Sequence, residues 1–359
     1  MRFPFNKRRM KNIFSKGEKR NKPLPREVLL QSLIDKYGTN KEYTAHYLDH
    51  LLSHYKENPL YELYMEAELG SLKHGRELTT FLCQHFGNDH LFLNKECVDI
   101  GSSAGNLLIA LVEQGAARAF GIEICEGRYQ TALINMNGCL PEIKSKIHMV
   151  RDSIENEEIT RIGQFDIILC TDVLEHVQDP PQAIKQICRL LKDDPDAFAY
   201  IRLRNFQHPQ VVIHEPHYDL PAMVLLPAEL SQPYYEACKP SDPIDFEALH
   251  WLSFYDYQAL FKSFGKRLTF LGNIHPEPSC IDNVKNETQE LTKAFDAFSE
   301  RHHLVADLRK EIHRYINDYQ SRMDSLIREY RSTGDRRLLE TFYLNYVVWD
   351  IMMLITNGD

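Results

Sequence analysis

The stretch Val98-Asp99-Ile100-Gly101-Ser102-Ser103-Ala104-Gly105-Asn106 decides the fold. It opens as a short apolar strand, passes through a run of small residues, and leads into apolar positions at helical spacing. Small residues in such a turn let the backbone approach a ligand closely, and the helix start offers free N–H groups to it. Eighteen residues past Gly105, the next strand closes in Gly121-Ile122-Glu123. A carboxylate at the end of a second strand is placed to accept two hydrogen bonds from a ribose diol. The third strand ends in Val150-Arg151-Asp152-Ser153, where a polar side chain can read an adenine edge.

Outward from this stretch the chain alternates. Glu96–Ile100, Ala117–Glu123, Lys146–Val150, Phe165–Cys170 and Ala197–Leu203 read as strands, with helices over Asn106–Gln114, Glu126–Met136 and Pro181–Leu191. That rhythm implies right-handed crossovers and an α/β fold with a parallel sheet covered on both faces. A Pro-, His- and Tyr-rich segment, residues 205–250, interrupts it after the fifth strand. A helix over Tyr255–Phe264 and a strand over Arg267–Leu271 follow.

The flanks are helical. Residues 27–94 form an N-terminal helical extension. From Val284 a stripe of apolar residues recurs mostly every three or four positions, and Ser332-Thr333-Gly334-Asp335 supplies a helix stop and a new N-cap. A second helix is expected over Arg336–Leu354, so residues 284–359 read as a helical hairpin. The expected organisation is a leader (1–26), the extension (27–94), the α/β domain (95–283) and the hairpin.

The motifs resemble those of class I S-adenosylmethionine-dependent methyltransferases. The family's acidic-x-Gly-x-Gly-x-Gly appears as Asp99-x-Gly101-x-Ser103-x-Gly105, with Ser in place of the middle Gly. The segment Thr171-Asp172-Val173-Leu174-Glu175-His176-Val177, with Asp179-Pro180 after it, is similar to the ubiquinone-biosynthesis type of small-molecule methyltransferase. The resemblance covers roughly residues 70–272 and implies a Rossmann-like seven-stranded sheet with S-adenosyl-L-methionine as cofactor. It assigns Asp99, Gly101, Ser102, Ser103, Ala104, Gly105 and Asn106 to the methionine part, Glu123 with Ile124 to the ribose, and Asp152 with Ser153 to the adenine. Thr171, Asp172 and Leu174 would line the same cleft. A dinucleotide-binding dehydrogenase shares the Gly-rich turn, but the register of Glu123, Asp152 and Leu174-Glu175-His176 favours the methyltransferase.

Methyl transfer to a hydroxyl needs in-line positioning, exclusion of water and a base. His176 is the first candidate, because imidazole titrates near neutrality. His214 and His217, in His214-Glu215-Pro216-His217-Tyr218-Asp219, are the others. Glu175, His208, Tyr218, Asp219 and Trp251 are candidates to hold a small-molecule or glycan acceptor, with Tyr234 and Tyr235 as further stacking faces. A less favoured reading makes Asp172, Glu175, His176 and His214 ligands of a divalent metal, acting on a diol or an RNA 3′ end. A non-catalytic scaffold using the methyltransferase fold is the alternative from another class.

Charge narrows the choice. The net charge of −9 divides into +9 on residues 1–26 and −18 on the rest. The acidic body argues against an extended nucleic-acid footprint, while the leader suits peripheral contact with an anionic membrane. The longest apolar run, Tyr346 to Ile355, is interrupted by Asp350 and falls short of the roughly 20 residues of a membrane span. Eight scattered cysteines without a C-x-x-C pair suit a reducing, cytoplasmic setting. The helical tail is the candidate homodimer surface.

Overall fold

The computed structural model of the protein describes residues 25–54, 61–238, 250–272 and 274–358. Apart from Pro25 and Arg26, the basic leader lies outside them. The chain divides into two compact units, one ending at Gly70 and one beginning at Ser71. Among its described residues the first contains three helices, α1 (Arg26–Tyr37), α2 (Lys41–His54) and α3 (Tyr61–Leu69). Gly38, left-handed, ends α1, and Asn40 accepts a hydrogen bond from the Tyr43 amide at the start of α2.

The second unit opens with α4 (Ser71–Phe86) and then follows the alternating pattern: β1 (Glu96–Ile100), α5 (Asn106–Glu113), β2 (Arg118–Ile122), α6 (Glu126–Asn137), a one-turn α7 (Pro141–Lys144) and β3 (Ile147–Val150). It continues with β4 (Ile167–Thr171), α8 (Pro180–Leu190), β5 (Phe198–Arg204), α9 (Pro209–Ile213), α10 (Ala228–Cys238), α11 (Phe254–Ser263) and β6 (Lys266–Phe270). The chain closes with α12 (Cys280–Arg301), α13 (Ala306–Thr333), α14 (Arg336–Tyr346) and β7 (Asp350–Asn357).

The sheet has seven strands in the order β3-β2-β1-β4-β5-β7-β6. The first five pair in parallel, and β7 runs antiparallel to both β5 and β6. Alternation along each strand sends side chains to opposite faces. Val98, Ile168, Cys170, Ala199 and Ile201 join the core under α8 and α11, whereas Cys97, Ile167, Leu169 and Tyr200 join the core under α4 and α5. The carboxyl ends of β1, β2, β4 and β5 thereby converge where α/β sheets bind ligands.

The C-terminal hairpin is corrected. Gly334 ends α13 in the left-handed conformation and Asp335 caps α14, as expected, but the helix stops at Tyr346 and residues 350–357 are the seventh strand. Ile351, Met353 and Ile355 enter one core while Met352 and Leu354 lie against the other. A period of two thus governs a stretch whose apolar residues also fit a helix. The stripe on α12 and α13 is largely internal, with Leu291, Phe295, Ile312, Ile316 and Tyr319 buried in the same core. Among the described residues, no helix is long and apolar enough to cross a membrane.

Ile355→Ala should cost about 2–5 kcal/mol in urea unfolding of the full chain followed by tryptophan fluorescence. Thr356→Ala, one position along, should cost under about 1 kcal/mol. Equal effects would contradict the strand's two-faced burial.

Candidate active site

The turn after β1 has the shape its small residues predict. Gly101 has φ +72°, and a Cβ there would lie 2.3 Å from Val173 Cγ2 in the segment after β4. Gly105, also left-handed at φ +74°, is the N-cap of α5, and its Cβ would meet Met136 Cε at 2.9 Å. A side chain at either position would be strained, and at Gly101 it would also collide with Val173, whereas at Gly105 only the flexible end of Met136 would have to move. Ser103, which replaces the middle glycine, is left-handed as well, at φ +46°. Its hydroxyl lies 3.4 Å from Arg128 Nη1.

The rest of the turn is tied from below. The amides of Gly101 and Ser102 donate to the Ile122 carbonyl, and the Gly105 amide donates to Ser102 O. The Asn135 side chain donates to Ala104 O and to Asn106 Oδ1, at 2.8 and 2.9 Å, and Asn106 in turn donates to Ser71 Oγ. Asn135 had no signal in sequence, since an Asn on an amphipathic helix usually faces water.

Glu123 is buried, and each of its oxygens accepts one backbone N–H: Ser103 N on Oε2 and Cys125 N on Oε1, both at 2.8 Å. A carboxylate has about four acceptor positions, so lone pairs remain for a diol. Burial, and next the charge of Glu123, hold the Asp99 carboxyl well above its usual range. Asp152 is half-buried and accepts from Ser153 N and the Asn156 amide. Ile124 is exposed (66%). These residues fit a nucleoside cofactor: a turn that a Cβ would block, an acceptor for a ribose diol, and an open apolar side chain beside it.

Across the strand ends lies the second half of the site. Asp172, left-handed at φ +55°, pairs with Arg202 of β5, and its amide donates to the Arg202 carbonyl. Leu174 is buried, while Thr171 and His176 are half-buried. Glu175 is 2% exposed, and its Oε2 has no hydrogen-bond partner among the described residues. Burial, and then the Asp172 charge, push its carboxyl up to about 7. The His250 amide donates to Glu175 O, which lays the segment entering α11 along this loop.

The inserted segment brings His217 to His176. Their rings meet edge to face with centroids 5.0 Å apart, and Trp251 lies 6.1 Å from His217. Trp251 packs edge-on against Phe206, and the buried Tyr218 against Tyr235. Glu215, only 1% exposed, accepts the amides of His217 (2.8 Å) and Tyr218 (2.5 Å) and hydrogen-bonds His217 Nδ1 at 2.5 Å. Burial works downward on the His217 imidazole, but the hydrogen bond and charge of Glu215 raise it above its ordinary value.

Other expected acceptor residues lie elsewhere. His208 is the N-cap of α9: its Nδ1 accepts from Gln210 N, its ring packs edge-on against Trp349, and burial with the Arg204 charge pushes it down to about 4. His214 and Asp219 are exposed and 3.6 Å apart. Tyr234 is a core residue whose hydroxyl donates to Pro221 O. The four-residue metal set does not converge. Asp172 is engaged by Arg202 and His214 is exposed, and among the described residues no group of three or more His, Cys, Asp or Glu is arranged to hold a metal.

Two further residues went unassigned in the sequence. Glu215 stands between histidines in a polar loop, and nothing in its spacing reveals burial. The buried Asn205 donates through Nδ2 to the carbonyls of Leu344, Asn345 and Val348, fastening the start of the insertion to the turn before β7.

Residues 72–232 match the model of a methyltransferase domain. A ubiquinone biosynthesis O-methyltransferase of Neisseria meningitidis is 28% identical over 122 residues, covering 33% of this chain and 48% of the relative. Its counterpart in Escherichia fergusonii is 26% identical over 111 residues, covering 31% and 44%. The chain thus spans about half the length of the curated relatives it matches. The solved YcgJ protein of Bacillus subtilis aligns over 80% of this chain and 99% of its own, with 14% identity and a TM-score of 0.41. Residues 72–232 of the second unit are thus similar to a methyltransferase domain.

Glu123→Ala removes two charge-assisted hydrogen bonds, each contributing about 1.5–3 kcal/mol. Calorimetric titration should show affinity for S-adenosylhomocysteine falling on the order of 100-fold. An unchanged Kd in a folded variant would remove Glu123 from the site.

Proposed function

We propose that the protein is an O-methyltransferase whose acceptor is a small-molecule or sugar hydroxyl. The observation that carries this reading is the His176–His217 pair, flanked by Trp251 and placed beside the segment that touches Gly101 of the cofactor turn. The curated relatives are named as O-methyltransferases, which supports oxygen as the methylated atom.

S-adenosylmethionine, when bound, supplies an electrophilic methyl group on a sulfonium sulfur. The chain's own residues do the rest. Glu123 would hold the ribose diol, and the buried Asp99 beside it would be ionised more readily by a nearby positive charge such as the cofactor's amino group. Trp251, half-buried and backed by the buried Phe206, is the aromatic side chain placed to cover the planar or C–H face of an acceptor. With the cofactor bound, the hydroxyl proton would pass to an imidazole as the oxygen bonds to the methyl carbon and the carbon–sulfur bond breaks, leaving S-adenosylhomocysteine, so the acceptor would gain one methyl and the histidine one proton. His217 is the stronger candidate base, because it has an oriented partner in Glu215.

Incubation with methyl-labelled cofactor and fractionated cell extract should label a low-molecular-weight or glycan species that carries the label as a methyl ether. Label confined to RNA or protein would overturn this reading. His217→Asn should lower kcat by about 10²–10⁴ and leave cofactor Kd unchanged. A base must be neutral to act, and Glu215 holds the His217 imidazole above its ordinary value, so the rate should climb as pH rises through a range above that of a free imidazole. A rate unchanged on the acid side would argue against an imidazole base.

A further inference from the structure

We propose that Glu215 is a positioning residue that fixes the tautomer of His217, holding the proton on Nδ1 and leaving Nε2 as the basic atom. This rests on the reading of His217 as the base of an O-methyltransferase. The residue lies in the loop after α9, outside both the glycine turn and the segment after β4.

The geometry runs in one direction. Glu215 is almost fully removed from water and its carboxylate is tied to two backbone amides, those of His217 and Tyr218. Those amides belong to the backbone, so they fix the carboxylate whatever the imidazole does. An ionised carboxylate can only accept, and the short contact to His217 Nδ1 therefore requires a proton on that nitrogen. A third donor also compensates a buried charge that two amides alone would leave partly unpaired. The backbone bends to permit this: Asp219, whose amide donates to Glu215 O, is left-handed at φ +57°. The other groups facing the ring are His176 and Trp251, with Tyr218 beside it. The charges of Glu175 and Asp172 act on it from the segment after β4.

The test uses the full chain with ¹⁵N-labelled histidine, and the resonance missing from His217→Asn assigns His217. In the wild type above its titration, Nδ1 should carry the proton and Nε2 should be bare. Glu215→Gln should redistribute the proton toward Nε2 and lower label incorporation into the extract fraction by about 100-fold or more. The cofactor Kd should stay unchanged, and Glu215→Asp should recover part of the rate. A wild-type ring protonated on Nε2, with His217→Asn inactive, overturns the positioning role and leaves the base reading standing. A fully active His217→Asn overturns both. The wild-type spectrum decides the tautomer even if Glu215→Gln fails to fold.

Discussion

The site depends on the buried carboxylate of Glu123 and the two amide protons it accepts. Ser103 N comes from the turn after β1 and Cys125 N from the turn after β2, so one side chain joins the ends of two adjacent strands. A charge at that depth persists only when donors surround it. The strained turn is stable for a related reason. Gly101 and Gly105 supply left-handed backbone, the Ile122 carbonyl collects the amides of Gly101 and Ser102, and Asn135 holds the turn from α6. The side chain of Val173 fills the space a Cβ on Gly101 would need, which puts the segment after β4 against the cofactor turn.

The proposed acceptor side is built differently. Its residues come from a loop after β5, and the C-terminal elements hold that loop. Asn205 binds three carbonyls before β7, the Tyr319 hydroxyl of α13 donates to Gln207 O, and Trp349 packs on His208. The helical tail is therefore part of the second unit's core and a support for the acceptor segment. β7 completes the link by lying between β5 and β6.

Much of this was legible in residue order. The five parallel strands and their helices follow from the alternation, and the left-handed turn after β1 follows from its small residues, because those positions are set by local sequence. What was not legible depends on tertiary surroundings. The run from Val347 to Ile355 is apolar almost throughout, so periodicity alone cannot separate a buried strand from a buried helix. His208 precedes a proline at a helix start, and there its ring nitrogen caps the backbone. His214 and His217 look equivalent in sequence, and only the fold makes one exposed and joins the other to Glu215. The buried Glu215 itself gives no sign, since a carboxylate beside histidines reads equally well as solvated.

The central claim is that the end of β2 holds a ribose diol, and the most direct measurement compares S-adenosylhomocysteine with its 2′-deoxyribose analogue by calorimetric titration of the full chain. Loss of one hydrogen bond to the Glu123 carboxylate predicts binding of the deoxy compound at least about tenfold weaker. Equal affinities, or no binding of either compound, would contradict it.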